Sequence, residues 1–163
     1  MHEMDLIGVR LEMPANAPVV MLRERNGDGR TVPIFIGAPE ATSIAMALDG
    51  VETPRPMTHD LMRNVLETLL VDVDRVVVTE LHEKTFYAEL HLVSRGDGCV
   101  VSCRPSDAIA LAVRTGTPIF VSDVVIDEVG YVDGEEVDDD QPEEVVEEFK
   151  EFLDTISPED FED

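Results

Sequence analysis

Two pairs of strand-like stretches, each joined by a short turn, occur along this chain, and period-two alternation of apolar and polar residues marks its first strand. Residues 19–23 and 31–36 flank Asn26-Gly27 and Asp28-Gly29, and both dipeptides tolerate the positive φ that a hairpin loop requires. Residues 75–93 contain a second pattern of this kind, with its turn near Glu83-Lys84. Strands that arrive as hairpins favour an antiparallel or mixed sheet over a doubly wound parallel one.

The alternation also predicts which strand residues face the core. Residues 4–13 form a first strand, in which the residues of one parity are apolar: Ile7, Val9, Leu11 and Met13. In the second hairpin a two-residue loop predicts three facing pairs: Leu81 with Phe86, Thr79 with Ala88, and Val77 with Leu90. Two shorter strands are expected at residues 99–103 and 119–121.

Three helices are predicted between these strands. The first begins near Pro39 and ends at Gly50, because proline is tolerated in a first helical turn and glycine favours a helix end. Thr58 is expected to cap the second helix. Its buried stripe is predicted at four positions: Leu61, Val65, Leu66 and Leu69. Ser106 is expected to cap the third helix, residues 107–114, which Gly116 ends.

The order of these elements indicates one mixed α+β domain over residues 1–130. Three strands are followed by two helices, three strands, a helix and a strand, so we expect a largely antiparallel sheet with the three main helices to one side. A length of 163 residues suits one ordinary domain. No apolar run approaches the roughly 20 residues of a membrane-spanning helix, and we therefore expect no contact with a membrane.

The negative charge of the chain is concentrated in its last segment. The net charge is −24, and residues 131–163 hold sixteen acids and one base. We expect residues 131–144 to be an acidic disordered linker, because they contain few large apolar residues. Residues 145–163 are an acidic tail, in which residues 145–156 have the spacing of a short amphipathic helix. That helix either packs on its own domain or docks to a protein partner.

The amino terminus and the cysteines predict a cytoplasmic protein without disulfides. Residues 1–5 are acidic, whereas a secretion signal begins with positive charge followed by an apolar stretch. Cys99 and Cys103 are four residues apart in a strand-like segment, roughly 13 Å and too far to bridge each other.

Three segments concentrate polar residues on an otherwise apolar framework. They are Glu40 beside Pro39, residues 54–60 and residues 104–107. Since the overall charge repels a polyanion, binding of nucleic acid would need a local basic patch or a bridging metal. Glycine-rich phosphate loops, Gly-x-Ser-x-Gly elbows and paired Cys/His zinc spacings do not occur in the sequence.

Each polar segment also has an ordinary structural interpretation. Thr58 and Ser106 are common helix caps, and acids such as Asp60 and Asp107 are common in a first helical turn. Arg55 and Arg104 would then pair with those acids.

Five stretches of the body are similar to one known family. They are residues 33–41, 54–61, 85–88, 104–112 and 118–121, and they resemble, in order, the bifunctional nuclease domain family of bacteria and plants. The resemblance implies a mixed α+β fold that self-associates, hence a homo-oligomer, and the DNase and RNase activity ascribed to some members. The segment 149–161 is similar to the tail of actinobacterial members.

Two functional hypotheses follow from the polar segments and this resemblance. In the first, the protein is a nuclease acting on DNA, RNA or both. Its catalytic residues would be His59, Asp60 and Asp107. Substrate phosphates would contact Arg55, Arg104 and Ser106. A divalent cation, Mg²⁺ or Mn²⁺, would be held by Glu40, Asp60 and Asp107.

In the second hypothesis, the protein is a noncatalytic oligomeric regulatory module whose tail helix binds a partner. The two hypotheses differ in geometry. A nuclease requires Arg55, His59, Arg104 and Asp107 to converge in one open cleft, whereas a module would bury them in separate ion pairs.

Overall fold

Eight strands form one mixed sheet in the computed structural model, which describes residues 1–132. The strands are β1 (His2–Glu12), β2 (Ala17–Glu24), β3 (Arg30–Phe35), β4 (Val71–His82), β5 (Thr85–Ser94), β6 (Asp97–Cys103), β7 (Ile119–Val121) and β8 (Tyr131–Val132). Their spatial order is β6-β5-β4-β7-β1-β2-β3-β8, and every neighbouring pair is antiparallel except β4 and β7. The predicted α+β class and hairpin-built sheet are therefore confirmed.

Four helices accompany the sheet: α1 (Ala38–Leu48), α2 (Thr58–Thr68), α3 (Pro105–Thr115) and α4 (Asp123–Val129). The central helix is α3, which contacts α1, α2, β4 and β5. Residues 108–112 of α3 are all buried, and the small alanines among them let α1 and α2 approach closely. Gly116 ends α3 in the left-handed conformation, as predicted. In the described part of the chain, none of the helices is both long and apolar enough to span a membrane.

One-residue bulges change which strand residues face the core. In β1 the pairing with β2 shifts at Ile7, so Met4 is buried while Ile7, Leu11 and Met13 are exposed. In β4 the pairing with β5 shifts at Thr79. The predicted pair Leu81–Phe86 is confirmed, but the other two pairings are wrong. Ala88 faces Val78 and Leu90 faces Val76, because an extra residue in one strand moves all later side chains to the other face.

The two predicted helix caps are also wrong. Arg104 occupies the cap position of α3, and Ser106 is a buried residue of its first turn. Thr58 is the first residue of α2, preceded by Met57, whose backbone N–H donates to Asp60 Oδ2 at 3.0 Å.

The apolar stripe predicted for α2 points mainly away from the core. Leu61, Val65 and Leu69 are 56%, 47% and 62% exposed. Only Leu66 of the four predicted residues packs against the core, together with Met62. The side of α2 that meets the other helices carries polar residues, and these belong to the site described below.

The first two residues of the predicted linker belong to the sheet. Tyr131 and Val132 form β8 and pair with Thr31 and Arg30 of β3. The rest of the predicted linker and the tail helix at residues 145–156 lie outside the described residues.

Candidate functional site

A histidine links the three long helices where they pack together. His59, in the first turn of α2, is buried. Its Nε2 lies 3.0 Å from Oδ1 of Asp107 in α3, and its Nδ1 lies 2.8 Å from Oγ of Ser43 in α1. The three side chains form a continuous Ser–His–Asp chain of hydrogen bonds.

The protonation of this chain follows from Asp107. Burial raises the pKa of Asp107, but hydrogen bonds from Arg104 and His59 outweigh it and leave the pKa below its ordinary value. The carboxyl group is therefore ionised at neutral pH and can only accept hydrogen bonds. Nε2 of His59 must then carry a hydrogen, and in the neutral imidazole Nδ1 accepts a hydrogen bond from Ser43 Oγ.

Arg104 connects this chain to the protein surface. Its Nε donates to Asp107 Oδ2 at 2.8 Å, and its Nη2 lies 2.9 Å from Glu40 Oε1. The Arg104 side chain is 65% exposed, whereas that of Glu40 is 16% exposed. An exposed guanidinium held in place by two carboxylates is a suitable contact for an anionic ligand.

Arg114, near the end of α3, binds the serine end of the Ser–His–Asp series of hydrogen bonds. Its Nη2 donates to Ser43 Oγ at 3.1 Å, and its Nε donates to Asp60 Oδ1 at 2.6 Å. The hydrogen bonds from Arg114 and from the Met57 backbone N–H hold the pKa of Asp60 below its ordinary value. Asp60 therefore orients Arg114 and does not contact the imidazole of His59.

The structure brings five of the seven predicted site residues into one network. Ser43 and Arg114 join the five: Glu40, His59, Asp60, Arg104 and Asp107. Ser106 lies beside the network, next to Arg104 in the wall of a cleft. The Arg55 side chain takes no part, and it makes no hydrogen bond or ion pair with any residue of the described range 1–132.

Sequence reasoning missed Ser43 and Arg114. Ser43 lies in the middle of a helix and Arg114 in a last turn, where neither residue type marks a site. Ser43 and Arg114 contact His59 and Asp60 because helices α1, α2 and α3 pack against one another.

The three predicted metal ligands, Glu40, Asp60 and Asp107, are paired with arginines in the structure. Between Met1 and Val132 no three His, Cys, Asp or Glu side chains are grouped so that they could hold an ion. Glu40 and Asp107 both form ion pairs with Arg104, and Asp60 forms an ion pair with Arg114. Burial, aided by the Asp107 charge, raises the pKa of the nearby Cys103 thiol to about 11, so this group is neither a thiolate ligand nor a nucleophile at neutral pH.

A cleft of about 390 Å³ opens next to Arg104. Three chain junctions form its walls: the end of β3 with the start of α1, the β4–β5 turn, and the start of α3. The side chains that line it include Phe35, Lys84, Phe86, Arg104 and Ser106. Arg104 thus belongs both to the buried network and to an open surface.

The segments that build the network and the cleft match a known family model. The bifunctional nuclease domain model covers residues 20–133, a range that includes every residue of the site. The chain belongs to the bifunctional nuclease domain family. The recognition made from the sequence is thereby confirmed.

Relatives of this chain include both uncharacterized and named members of the family. An uncharacterized protein of Mycobacterium tuberculosis is 46% identical over 165 residues, covering 99% of this chain and 98% of that protein. Bifunctional nuclease 2 of Arabidopsis thaliana is 31% identical over 132 residues, covering 78% of this chain and 39% of the plant protein. Bifunctional nuclease 1 of the same plant is 30% identical over 64% of this chain and 33% of its own length. The chain thus spans well under half of the plant nucleases.

Proposed function

We propose that the protein is a nuclease that hydrolyses phosphodiester bonds of DNA, RNA or both. The observation that carries this proposal is the joining of His59, Asp107 and Arg104, three of the four residues expected to converge, in one network. Arg104 lines the open cleft, whereas His59 is buried and Arg55 takes no part. A proton-transferring imidazole, an ionised carboxylate and an exposed guanidinium are the groups that such hydrolysis uses. Membership of the bifunctional nuclease domain family supports the same activity.

Each group has a distinct task in the proposed reaction. Arg104 contacts the nonbridging phosphate oxygens and offsets their charge as the nucleophile approaches. A water attacks phosphorus and passes its proton through Ser43 Oγ to Nδ1 of the neutral His59. The P–O bond to the leaving oxygen breaks, and the imidazolium returns the proton to that oxygen. Asp107 stabilises the imidazolium that results, because its carboxylate accepts from Nε2. Asp60 and Arg114 position Ser43 and take no direct part.

No step is routed through a metal ion, since the carboxylates of the site do not form a group of metal ligands. A requirement for Mg²⁺ or Mn²⁺ stays a prediction from the sequence. It is tested by running each reaction with Mg²⁺, with Mn²⁺ and with EDTA.

The deciding experiment is cleavage of labelled single-stranded DNA and RNA by the wild type and by His59→Gln. We expect the variant to lose about 10²- to 10⁴-fold in rate, the usual contribution of a general acid or base. Arg104→Lys should also be slower, because lysine loses the two-pronged contact with phosphate. His82→Gln is the matched control, since His82 is exposed on the β4 end of a hairpin outside the network.

Thermal unfolding of each variant separates a lost activity from a lost fold. Equal cleavage by the wild type and a folded His59→Gln variant would place the activity elsewhere. No cleavage of either substrate by the wild type under the three metal conditions would overturn the proposal.

A noncatalytic oligomeric module is the second candidate, and one observation favours it. Every carboxylate of the network is already paired with an arginine, as in a purely structural clasp between helices. The exposed apolar residues of α2 would then be subunit or partner contacts. In that case His59→Gln would lower stability and oligomer content, and neither protein would cleave nucleic acid.

A further inference from the structure

The cleft beside Arg104 combines aromatic and cationic side chains in one place. Residues 1–132 contain three phenylalanines and one lysine. Two of those phenylalanines, Phe35 and Phe86, and the lysine, Lys84, line this cleft together with Arg104. Two of the three phenylalanines and the one lysine of residues 1–132 therefore lie at one surface.

Phe35 is exposed in a way that packing does not explain. It is the last residue of β3, and its side chain is 59% exposed. Phe86, across the cleft, packs partly against the core. An exposed phenyl face beside a partly buried one is a surface on which a planar apolar ring can stack.

The two cations of the cleft can receive an anion. Lys84 lies at the tip of the β4–β5 hairpin with a φ of 64°, is exposed, and makes no ion pair with another residue of the described range. Arg104 presents its 65% exposed side chain from the start of α3. Both positive charges therefore border the same opening as the two phenyl rings.

One other cleft, of about 380 Å³, shares Phe35 and is also lined by Tyr131, Arg10 and Glu12. It therefore has one cation and a carboxylate, where the cleft beside Arg104 has two cations and no carboxylate.

Two further clefts lack aromatic side chains altogether. In a cleft of about 440 Å³, Arg25 is bonded to Glu3 and Asp5, and both acids line the opening itself. Arg104 is also paired with two acids, but neither of them lines the cleft beside Arg104. A shallower one along α2 contains Leu61, Val65 and Leu69 and no charged group. The cleft beside Arg25 would repel a phosphate, and the cleft along α2 offers nothing to bind it.

We propose that the Phe35–Lys84–Phe86–Arg104 cleft binds an unpaired nucleotide of a single-stranded nucleic acid. A base stacks on Phe35, and the adjoining phosphates contact Lys84 and Arg104. Bases in a duplex are already stacked on their neighbours, so a flat aromatic platform selects for single strands. The cleft volume of about 390 Å³ lies within the roughly 300–1,000 Å³ typical of small-ligand sites. This inference rests on the proposed nuclease function and names its substrate class.

The test is equilibrium binding of a fluorescent twelve-residue oligothymidylate to the full chain, in EDTA and at 50 mM salt. We expect the single strand to bind at least tenfold more tightly than the same strand in a duplex with oligoadenylate. Phe35→Leu should weaken binding of the single strand at least fivefold, since stacking contributes that much per base. Tyr87→Leu is the matched control, because Tyr87 is exposed on β5 but does not line the cleft.

The charge contribution is tested with two further variants. Lys84→Met should lower the slope of log affinity against log salt by about one. Arg95→Met should leave that slope unchanged, since Arg95 is also an exposed cation at a hairpin tip with positive φ, and it lies outside the cleft. Using these two positions keeps the strain of a left-handed residue the same in both comparisons.

Two results would overturn the inference: equal binding of single strand and duplex, or unchanged binding by Phe35→Leu. The cleavage assay keeps this separate from the proposed function. Cleavage that is lost in His59→Gln but normal in Phe35→Leu would support the nuclease function and contradict binding of the substrate in the cleft. Binding of the single strand without cleavage would support the cleft as a binding site and contradict the nuclease function.

Discussion

Arg114 is almost fully buried, and one carboxylate balances its charge. The side chain is 7% exposed and donates to Asp60 at 2.6 Å. Asp60→Asn would leave the guanidinium with neutral acceptors only, the backbone oxygens of Ala110 and Ser43 among them. We expect a loss of roughly 1–3 kcal/mol in the free energy of unfolding at pH 7. Urea denaturation measures it.

The pH dependence of stability identifies the cause of that loss. Because the pKa of Asp60 is lowered on folding, its ionisation stabilises the protein fully above its ordinary value of about 3.9 and progressively less as pH falls through the folded-state value. The wild type and Asp60→Asn should therefore differ at pH 7 and converge as the pH falls through the folded-state pKa of Asp60. The matched control is Asp49→Asn, at an exposed carboxylate that makes no side-chain bond within the described residues. If the free energy of unfolding changed with pH in the same way for Asp60→Asn and the wild type, this assignment would be contradicted.

Local sequence marked some residues of the site and could not mark others. Glu40, His59 and Asp107 stood out because each lies at a helix start, where polar residues have recognisable tasks. Ser43 contacts His59 across 16 positions of the chain and Arg114 across 71. Only the packing of α1, α2 and α3 brings them together, and no short motif encodes that packing.

At the level of elements, α4 ends at a glycine for a steric reason. A Cβ on Gly130 would lie 2.3 Å from the backbone oxygen of Ile126, closer than atoms can approach. Gly130→Ala should therefore shift the end of α4 and the start of β8, and lower the free energy of unfolding by roughly 1–3 kcal/mol. Gly98→Ala is the matched control, since its Cβ would meet nothing closer than 3.9 Å, and we expect a change within about 0.5 kcal/mol. Equal effects of the two substitutions on chemical denaturation would show that the contact is relieved without cost.

The sequence predicted the type and order of the helices and strands more reliably than it predicted which face of each one is buried. Hairpin turns and helix ends depend on residues adjacent in the chain, so Glu83-Lys84 and Gly116 were correctly placed. A bulge such as the one at Thr79 depends on the partner strand and reverses the face of everything beyond it. The outward stripe of α2 has a similar origin, because His59 and Asp60 turn the polar side of that helix towards α3.

At the scale of the whole molecule, the proposed binding cleft belongs to a strongly acidic chain. Residues 134–163 hold fifteen acids and one base, whereas residues 1–133 hold twenty-one acids and eleven bases. The compact unit Met1–Asp133 therefore has a net charge of −10, and the remaining segment adds −14. A nucleic acid is repelled by both parts, and residues 134–163 carry the larger net negative charge.

Removing that segment should strengthen the binding of single strands through the association rate. A chain ending at Asp133 should bind the oligothymidylate about tenfold more tightly at 50 mM salt, with most of the gain in the on-rate, because long-range repulsion opposes encounter more than it promotes dissociation. At 0.5 M salt the two chains should bind alike, since charges are screened over a few ångströms there. A full-length variant with the tail acids replaced by their amides separates charge from chain length, and it should behave like the shortened chain. Stopped-flow fluorescence measures both rates. If the shortened chain gains affinity equally at both salt concentrations, the segment acts by contact and not by its field.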